Sequence, residues 1–204
     1  LNYRPRVALV TNVEPDHLDH YGSKEAFFEA FVEFARRIEF GGLIVCCADS
    51  EDALELGERA RSEGIRVWTY GRGDGLENHA RIEDTGDGAR VSFRGKPIDL
   101  ALSVPGQHNV LNATGALLVG IELGEDPAQM AAALATFHGT GRRFELRGEV
   151  ASRRVIDDYA HHPTEVSAVL TAARAKADAE GEGARVIACF QPHLYSRTME
   201  FDAE

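Results

Sequence analysis

The sequence predicts an α/β protein: a parallel sheet with a small antiparallel annex, then the first βαβ unit of a second α/β domain. Three observations carry this. Short, unbroken apolar runs alternate with helical patterns between Val7 and Tyr70. Alternating runs punctuated by glycine follow, between Ala80 and Val104. Beyond Gly139-Thr140-Gly141 a fresh strand–helix–strand pattern begins.

Val7–Thr11 reads as a buried strand because its residues are apolar without alternation. Ser23 offers an N-cap to a helix whose Phe27, Phe31, Phe34 and Ile38 fall on one face, ended by Gly41-Gly42. Leu43–Ala48 is a second buried strand, and Asp49 or Ser50 caps a helix running to about Ser62. Val67–Tyr70 is a third strand, closed by the glycine-rich turn Gly71–Gly75. The order β-α-β-α-β implies parallel pairing with right-handed crossovers. Ala89–Arg94 and Ile98–Val104, set off by Asp84–Gly88 and Gly95-Lys96-Pro97, read as hairpin strands. Helices are expected over Asn109–Leu123 and Pro127–Phe137, the second with proline in its first turn. The glycine break places a domain boundary between residues 140 and 141. After it come a strand at Val155-Ile156, a helix from Pro163 to about Ala179, and a strand at Val186–Phe190.

A net charge of −11 argues against a broad nucleic-acid or anionic-membrane surface, which needs excess lysine and arginine, but not against anionic small ligands, which need only a local cluster of donors. No apolar run is long enough to span a bilayer, and no signal-peptide pattern is visible. Cys46, Cys47 and Cys189 lie in apolar, strand-like runs without metal-type spacing, so buried free thiols in a reducing cytoplasm are expected. The chain begins at Leu1 and stops at Glu204 within a helix expected after Thr198, and is read as part of a longer protein.

Several polar clusters follow strand ends, where open α/β sheets bind ligands. Asp16-His17-Leu18-Asp19-His20 can hold a divalent cation against a phosphate, or can be a capped, solvated turn. Asn109 and Asn112 stand three apart at a helix start; their amides suit an adenine edge, or His108 or Asn109 is an ordinary cap. Arg142-Arg143 suits phosphate at a hinge, or is a solvated pair. Asp157-Asp158-Tyr159-Ala160-His161-His162-Pro163 is the richest stretch, able to meet a ribose hydroxyl, a metal-bound water or an amine awaiting deprotonation. Arg197, after the next strand, can pair with a carboxylate. There is no G-x-x-x-x-G-K-[ST] loop, no G-x-G-x-x-G opening a helix, and no G-x-S-x-G elbow. Gly71–Gly75 lacks the spacing and the following helix of a phosphate loop.

Five blocks in order resemble the Mur ligases, the ATP-dependent amide-forming enzymes of peptidoglycan synthesis. They are Thr11–Asp19, Pro105–Ala113, Gly139–Glu145, Asp157–Glu165 and Phe190–Arg197. The fourth block is similar to that of the alanine-adding branch, with the murein-tripeptide ligase as nearest rival. The resemblance implies that residues 1–140 are the later part of a central ATP-binding domain and residues 141–204 the beginning of a Rossmann-like C-terminal domain. A UDP-binding domain, the phosphate loop and a metal-binding glutamate would precede Leu1, so these residues alone are expected to be inactive. It further implies His17 on Mg²⁺, Asn109 and Asn112 at the adenine of ATP with His108 nearby, and Arg143 on the γ-phosphate. Asp158 would lie near the ribose, Tyr159, His161 and His162 would border the reacting amine, and His193 and Arg197 would bind substrate. The implied reaction phosphorylates the carboxylate of UDP-N-acetylmuramate, and the amine of L-alanine then attacks the acyl phosphate. Many alanine-adding enzymes carry arginine where Leu194 stands. Readings from other classes are a metal-dependent phosphohydrolase using His17, Asp19 and Asp158, and a non-catalytic nucleotide-binding module.

Overall fold

Strand β2 (Leu43–Cys47) is buried at every position and pairs in parallel with β1 (Val7–Val10) on one side and β3 (Arg66–Gly71) on the other. Its unbroken apolar run follows from that place, because successive side chains enter opposite cores. Leu43, Val45 and Cys47 join Trp68 and Tyr70 against Ala113, Leu117 and Leu118 of α4 (Gln107–Leu123). Ile44 and Cys46 join Ala8, Val10 and Val67 against α2 (Lys24–Ala35) and α3 (Glu51–Ser62). Each large aliphatic side chain so buried contributes roughly 1.5–3 kcal/mol. The structure, a computed structural model, describes residues 2–15, 18–85, 88–181 and 183–192.

The caps stand where the sequence puts them. Ser23 Oγ accepts from Ala26 N at 3.1 Å, and Ser50 Oγ from Ala53 N at 3.4 Å. Pro127 lies in the first turn of α5 (Pro127–Ala135), as expected, and the structure adds a cap not named from the sequence: Asp126 accepts from Gln129 N at 3.0 Å. A one-turn helix, α1 (Leu18–Tyr21), precedes α2. Helix α2 is shorter than expected. It ends at Ala35, its buried positions are Phe27, Val32 and Ala35, and Ile38 lies beyond it. The cause is a tether: Glu39 N donates to Pro5 O at 3.0 Å and draws the chain to the entry of β1. Gly42 is required there, since a Cβ would sit 2.5 Å from Arg6 O and 2.6 Å from Ile38 Cγ2.

The expected antiparallel annex is present and continues the parallel layer. Strands β4 (His79–Thr85), β5 (Gly88–Phe93) and β6 (Lys96–Leu100) continue it as one six-stranded sheet in the order β1-β2-β3-β4-β5-β6. β4 runs parallel to β3, although the segment between them is far shorter than the dozen residues a crossover normally takes. The offset explains this. Only Thr69–Gly71 pair with His79–Arg81, so the chain steps back by two residues rather than a whole strand. β5 and β6 then pair antiparallel as a meander, with the turn Arg94-Gly95 at φ 50° and 75°.

By contacts the chain divides into two compact units: residues 1–102 with 110–136, and residues 103–109 with 137–204. A single boundary at residues 140 and 141 does not anticipate that Ser103–Asn109 fall in the second unit. The second unit opens with an unanticipated strand, β7 (Glu145–Val150), which pairs antiparallel with β8 (Arg153–Asp157). Ala151 and Ser152 turn that hairpin at φ 48° and 60°, the positive pair that a two-residue I′ turn needs. Helix α6 (Pro163–Ala179) follows. Val186–Phe190, expected as a strand closing a βαβ unit, has no ladder partner among the described residues, and Ile187 and Phe190 are exposed. Cys189 is therefore exposed, against the expectation of burial, while Cys46 and Cys47 are buried as expected. Among the described residues no helix is long and apolar enough to cross a membrane.

Candidate functional site

The polar groups of the second unit gather where two loops meet: the segment between α5 and β7, and the segment from β8 to α6. Asp158 joins them. Its Oδ2 accepts from Phe144 N and its Oδ1 from Ala160 N, both at 2.7 Å. In return Tyr159 N donates to Arg142 O at 2.8 Å. Arg142 closes the seam with its side chain, lying over the Tyr159 ring at 4.8 Å and 3.6 Å from Asp157 Oδ2. An arginine on an aromatic face adds dispersion and quadrupole attraction to the charge pair.

This arrangement bends the main chain into rarely occupied territory. Arg142 and Phe144 have φ of 57° and 51°, so Arg143 stands between two left-handed residues. Such conformations persist where surrounding bonds over-determine them. Here Arg142 N donates to Glu145 Oε2 at 2.7 Å on one side, and Phe144 N to Asp158 on the other.

Helix α6 starts at the seam. His162 is its N-cap and Glu165 its third residue, in a capping-box arrangement. Glu165 Oε2 accepts from His161 N at 3.1 Å and His162 N at 3.5 Å, and Oε1 takes the Arg143 NH1 donor at 3.4 Å. Partial burial opposes the ionisation of Glu165, but the His161 N–H and the Arg143 charge outweigh it and hold the carboxyl below the usual carboxylate range. The His161 ring lies edge-on to Tyr159, with centroids 5.2 Å apart, and its Nδ1 is 2.8 Å from Tyr159 O. A carbonyl only accepts, so Nδ1 carries the proton and, in the neutral ring, Nε2 offers a lone pair.

Ser103–Asn109 supply the third part. Gly106 has φ of +101°, and a Cβ there would meet His108 Cε1 at 2.6 Å, so glycine lets the ring fold back onto the backbone. Burial pushes the His108 imidazole below its ordinary pKa; Asp158 opposes that shift and Arg143 adds to it. His108 thus shares the electrostatic field of Arg143 and Asp158. Asn109 Nδ2 donates to Pro105 O at 2.6 Å, which shapes the turn into α4.

The structure therefore brings His108, Arg143, Asp158, Tyr159, His161 and His162 together in one unit with Asn109. Asn112 is exposed on α4 and belongs to the first unit. His17, His193 and Arg197 lie outside the described residues, so neither the metal position nor the substrate pair is described. Among the described residues no three His, Cys, Asp or Glu side chains gather closely enough to hold a metal ion. Arg142, expected with Arg143 as a phosphate-suited pair, instead packs on Tyr159 and Asp157, and Glu165 has no site role in the sequence analysis. The spacing of Glu165 three residues beyond the N-cap was the available signal. Gly71–Gly75 is not a phosphate cradle: Asp49 Oδ1 already takes Arg72 N at 2.8 Å and Gly73 N at 3.2 Å.

Chemically, the second unit presents a guanidinium, imidazoles and an exposed aromatic face on a main chain whose own groups are largely satisfied. That set suits an anion next to a flat ring. The fold and this chemistry define a two-unit α/β protein with an anion-suited loop pair in its second unit. The chain belongs to the Mur ligase family: residues 1–120 match the Mur ligase middle domain and residues 142–201 the Mur ligase glutamate ligase domain. It is 52% identical to the UDP-N-acetylmuramate–L-alanine ligase of Kineococcus radiotolerans over 99% of this chain and 42% of that protein. It is 50% identical to the enzyme of the same name from Renibacterium salmoninarum, over 100% of this chain and 43% of that one. The chain thus spans less than half the length of these relatives. Among solved structures it is similar to UDP-N-acetylmuramate–alanine ligase of Thermotoga maritima, with TM-score 0.67 and 31% identity over 86% of this chain and 40% of that one. A murein peptide ligase of Psychrobacter arcticus is also 31% identical, with TM-score 0.61 over 86% of this chain and 36% of that one.

Proposed function

We propose that the chain is part of an ATP-dependent ligase that joins L-alanine to UDP-N-acetylmuramate in the cytoplasm. The observation that carries the reading is the 52% identity, sustained over 99% of the chain, to a relative bearing that name. In this reading residues 1–140 are the later part of the ATP-binding domain and residues 141–204 the start of the C-terminal domain.

ATP, as co-substrate, supplies the phosphoryl group that activates the muramoyl carboxylate, and the chemistry then depends on positioned positive charge. Arg143 holds the γ-phosphate through the donors of its guanidinium fork. Asn109 and Asn112 take the adenine edge, with the neutral His108 ring beside them and Asp158 near the ribose. Tyr159 and His162 border the incoming amine. His161, with Nδ1–H fixed on the Tyr159 carbonyl, accepts the amine proton at Nε2 as the amine attacks the acyl phosphate; the C–N bond forms, the acyl C–O bond breaks and inorganic phosphate leaves. His193 and Arg197 bind the amino-acid or muramoyl carboxylate, and His17 is a ligand of Mg²⁺.

The test is phosphate release by the protein expressed from its complete gene, with UDP-N-acetylmuramate, ATP, Mg²⁺ and each of L-alanine, glycine, L-serine and the murein tripeptide. Turnover that depends on L-alanine is expected. Turnover with the tripeptide alone would place the protein in the recycling branch, and metal-dependent phosphoester cleavage without an amine would make it a hydrolase.

A further inference from the structure

We infer that Glu165 is a positioning residue, whose one carboxylate binds Arg143 and the His161–His162 main chain so that cation and histidines meet substrate as a unit. The inference rests on the ligase reading, since it concerns groups assigned there to ATP and to the amine.

The geometry is specific. Oε1 meets Arg143 NH1 at 3.4 Å, while Oε2 takes the His161 and His162 amides at 3.1 and 3.5 Å. The two carboxylate oxygens therefore face different loops, one carrying the cation and the other the histidines. The base of this contact is rigid, because Glu165 lies in the first turn of the 17-residue helix α6. The loop it meets has little freedom of its own, with Arg143 held between two left-handed residues.

Stability alone is a poor account of this pair. Arg143 and Glu165 side chains are 48% and 36% exposed, and partly solvated pairs add little to folding. The contact engages one terminal nitrogen of a group with five N–H donors. An anion can thus be received on the rest of the fork while Glu165 keeps the guanidinium aimed. Small misplacement of such a group costs rate steeply, whereas loss of a solvated ion pair costs little in folding.

The experiment compares wild type, Glu165→Gln, Glu165→Ala, Arg143→Ala and the Glu165→Gln/Arg143→Ala double variant, all made from the complete gene. Alanine-dependent phosphate release, thermal midpoints and amide exchange at His161 and His162 in the ligand-free protein are measured. Gln retains one acceptor oxygen, which can take both amides as Oε2 does, so midpoint and exchange should stay near wild type while kcat/KM for ATP falls about 10- to 100-fold. Glu165→Ala should also speed exchange at both amides. Because Glu165 acts through Arg143, the Gln substitution should add less than about 3-fold once Arg143 is Ala. Wild-type kcat/KM in Glu165→Gln, or an equal loss in both backgrounds, would overturn the inference alone. A wild type without alanine-dependent turnover would overturn the ligase reading and this inference with it.

Discussion

Asp158 accepts the Phe144 main-chain N–H at 2.7 Å, across fourteen residues of sequence, and so fixes the loop that carries Arg143 to the loop that carries the histidines. Its second oxygen holds Ala160 N at the same distance. Replacing it with Ala leaves two partly buried donors without their acceptor, at a cost of about 1–3 kcal/mol. Asp158→Ala should lower the stability of the second unit by that order and speed exchange of the Phe144 and Ala160 amides above all others. Unchanged exchange at those two amides would show that the carboxylate does not hold the seam.

The pH dependence of stability follows from His108 and His79. Burial is the main cause of the lowered pKa at both, opposed at His108 by Asp158 and at His79 mainly by main-chain hydrogen bonds and Asp49. Arg143 and Arg81, respectively, add to the lowering. The folded state holds both rings neutral while the unfolded chain protonates them near pH 6.5, so the unfolded state binds more protons on acidification. Stability should be full above that pH and fall as pH drops from 7 towards the lower, folded-state pKa. His108→Gln should flatten part of the slope, read as urea midpoints at pH 7 and pH 5, and His79 should supply part of the remainder.

The β7–β8 turn is built from the wrong residues for its shape. Ala151 and Ser152 both have positive φ, which costs an L-residue roughly 1–2 kcal/mol unless glycine or asparagine takes the place. Replacing Ala151-Ser152 with Asn-Gly should stabilise the second unit by about 1 kcal/mol. The check is a raised denaturation midpoint at unchanged m-value.

Gly42 makes the opposite case. A methyl group there would be driven into Arg6 O, a backbone atom tied into the sheet, and into Ile38. Gly42→Ala should cost about 1–3 kcal/mol, in the range of overpacked sites. Gly64→Ala serves as the comparison: nothing lies within 4 Å of its Cβ, so its cost reflects only the positive φ of 83°.

How far the sequence reached can be judged from particular residues. β1, β2 and β3 were legible because burial on both faces leaves an unbroken apolar run, and Ser23 and Ser50 because capping is local chemistry. β7 was not legible: Glu145-Leu146-Arg147-Gly148-Glu149-Val150 alternates only weakly, is broken by a bulge, and turns through Ala-Ser rather than Asn-Gly. Val186–Phe190 failed differently, since an apolar run becomes a strand only when another strand pairs with it. In the second unit, Arg143, His161 and His162 were named from residue type and place. For Glu165 the spacing marks only a capped helix start; that its carboxylate also faces Arg143 depends on the fold, and no spacing states that.

The offset between β3 and β4 bears on the order in which the sheet assembles. On one side of that junction the ladder is closed by hairpins, Phe93 pairing with Lys96 only three residues on. On the other side Val7 must find Leu43, thirty-six residues away. Loop closure costs more as the loop lengthens, and non-local pairing is slow. The meander should therefore form first and present β4 as a template on which β3, then β2 and β1, are laid down. Truncation of Val91 should slow folding, while truncation of Val10 should mainly speed unfolding. The reverse pattern in the two arms of a chevron plot would show that the parallel half nucleates instead.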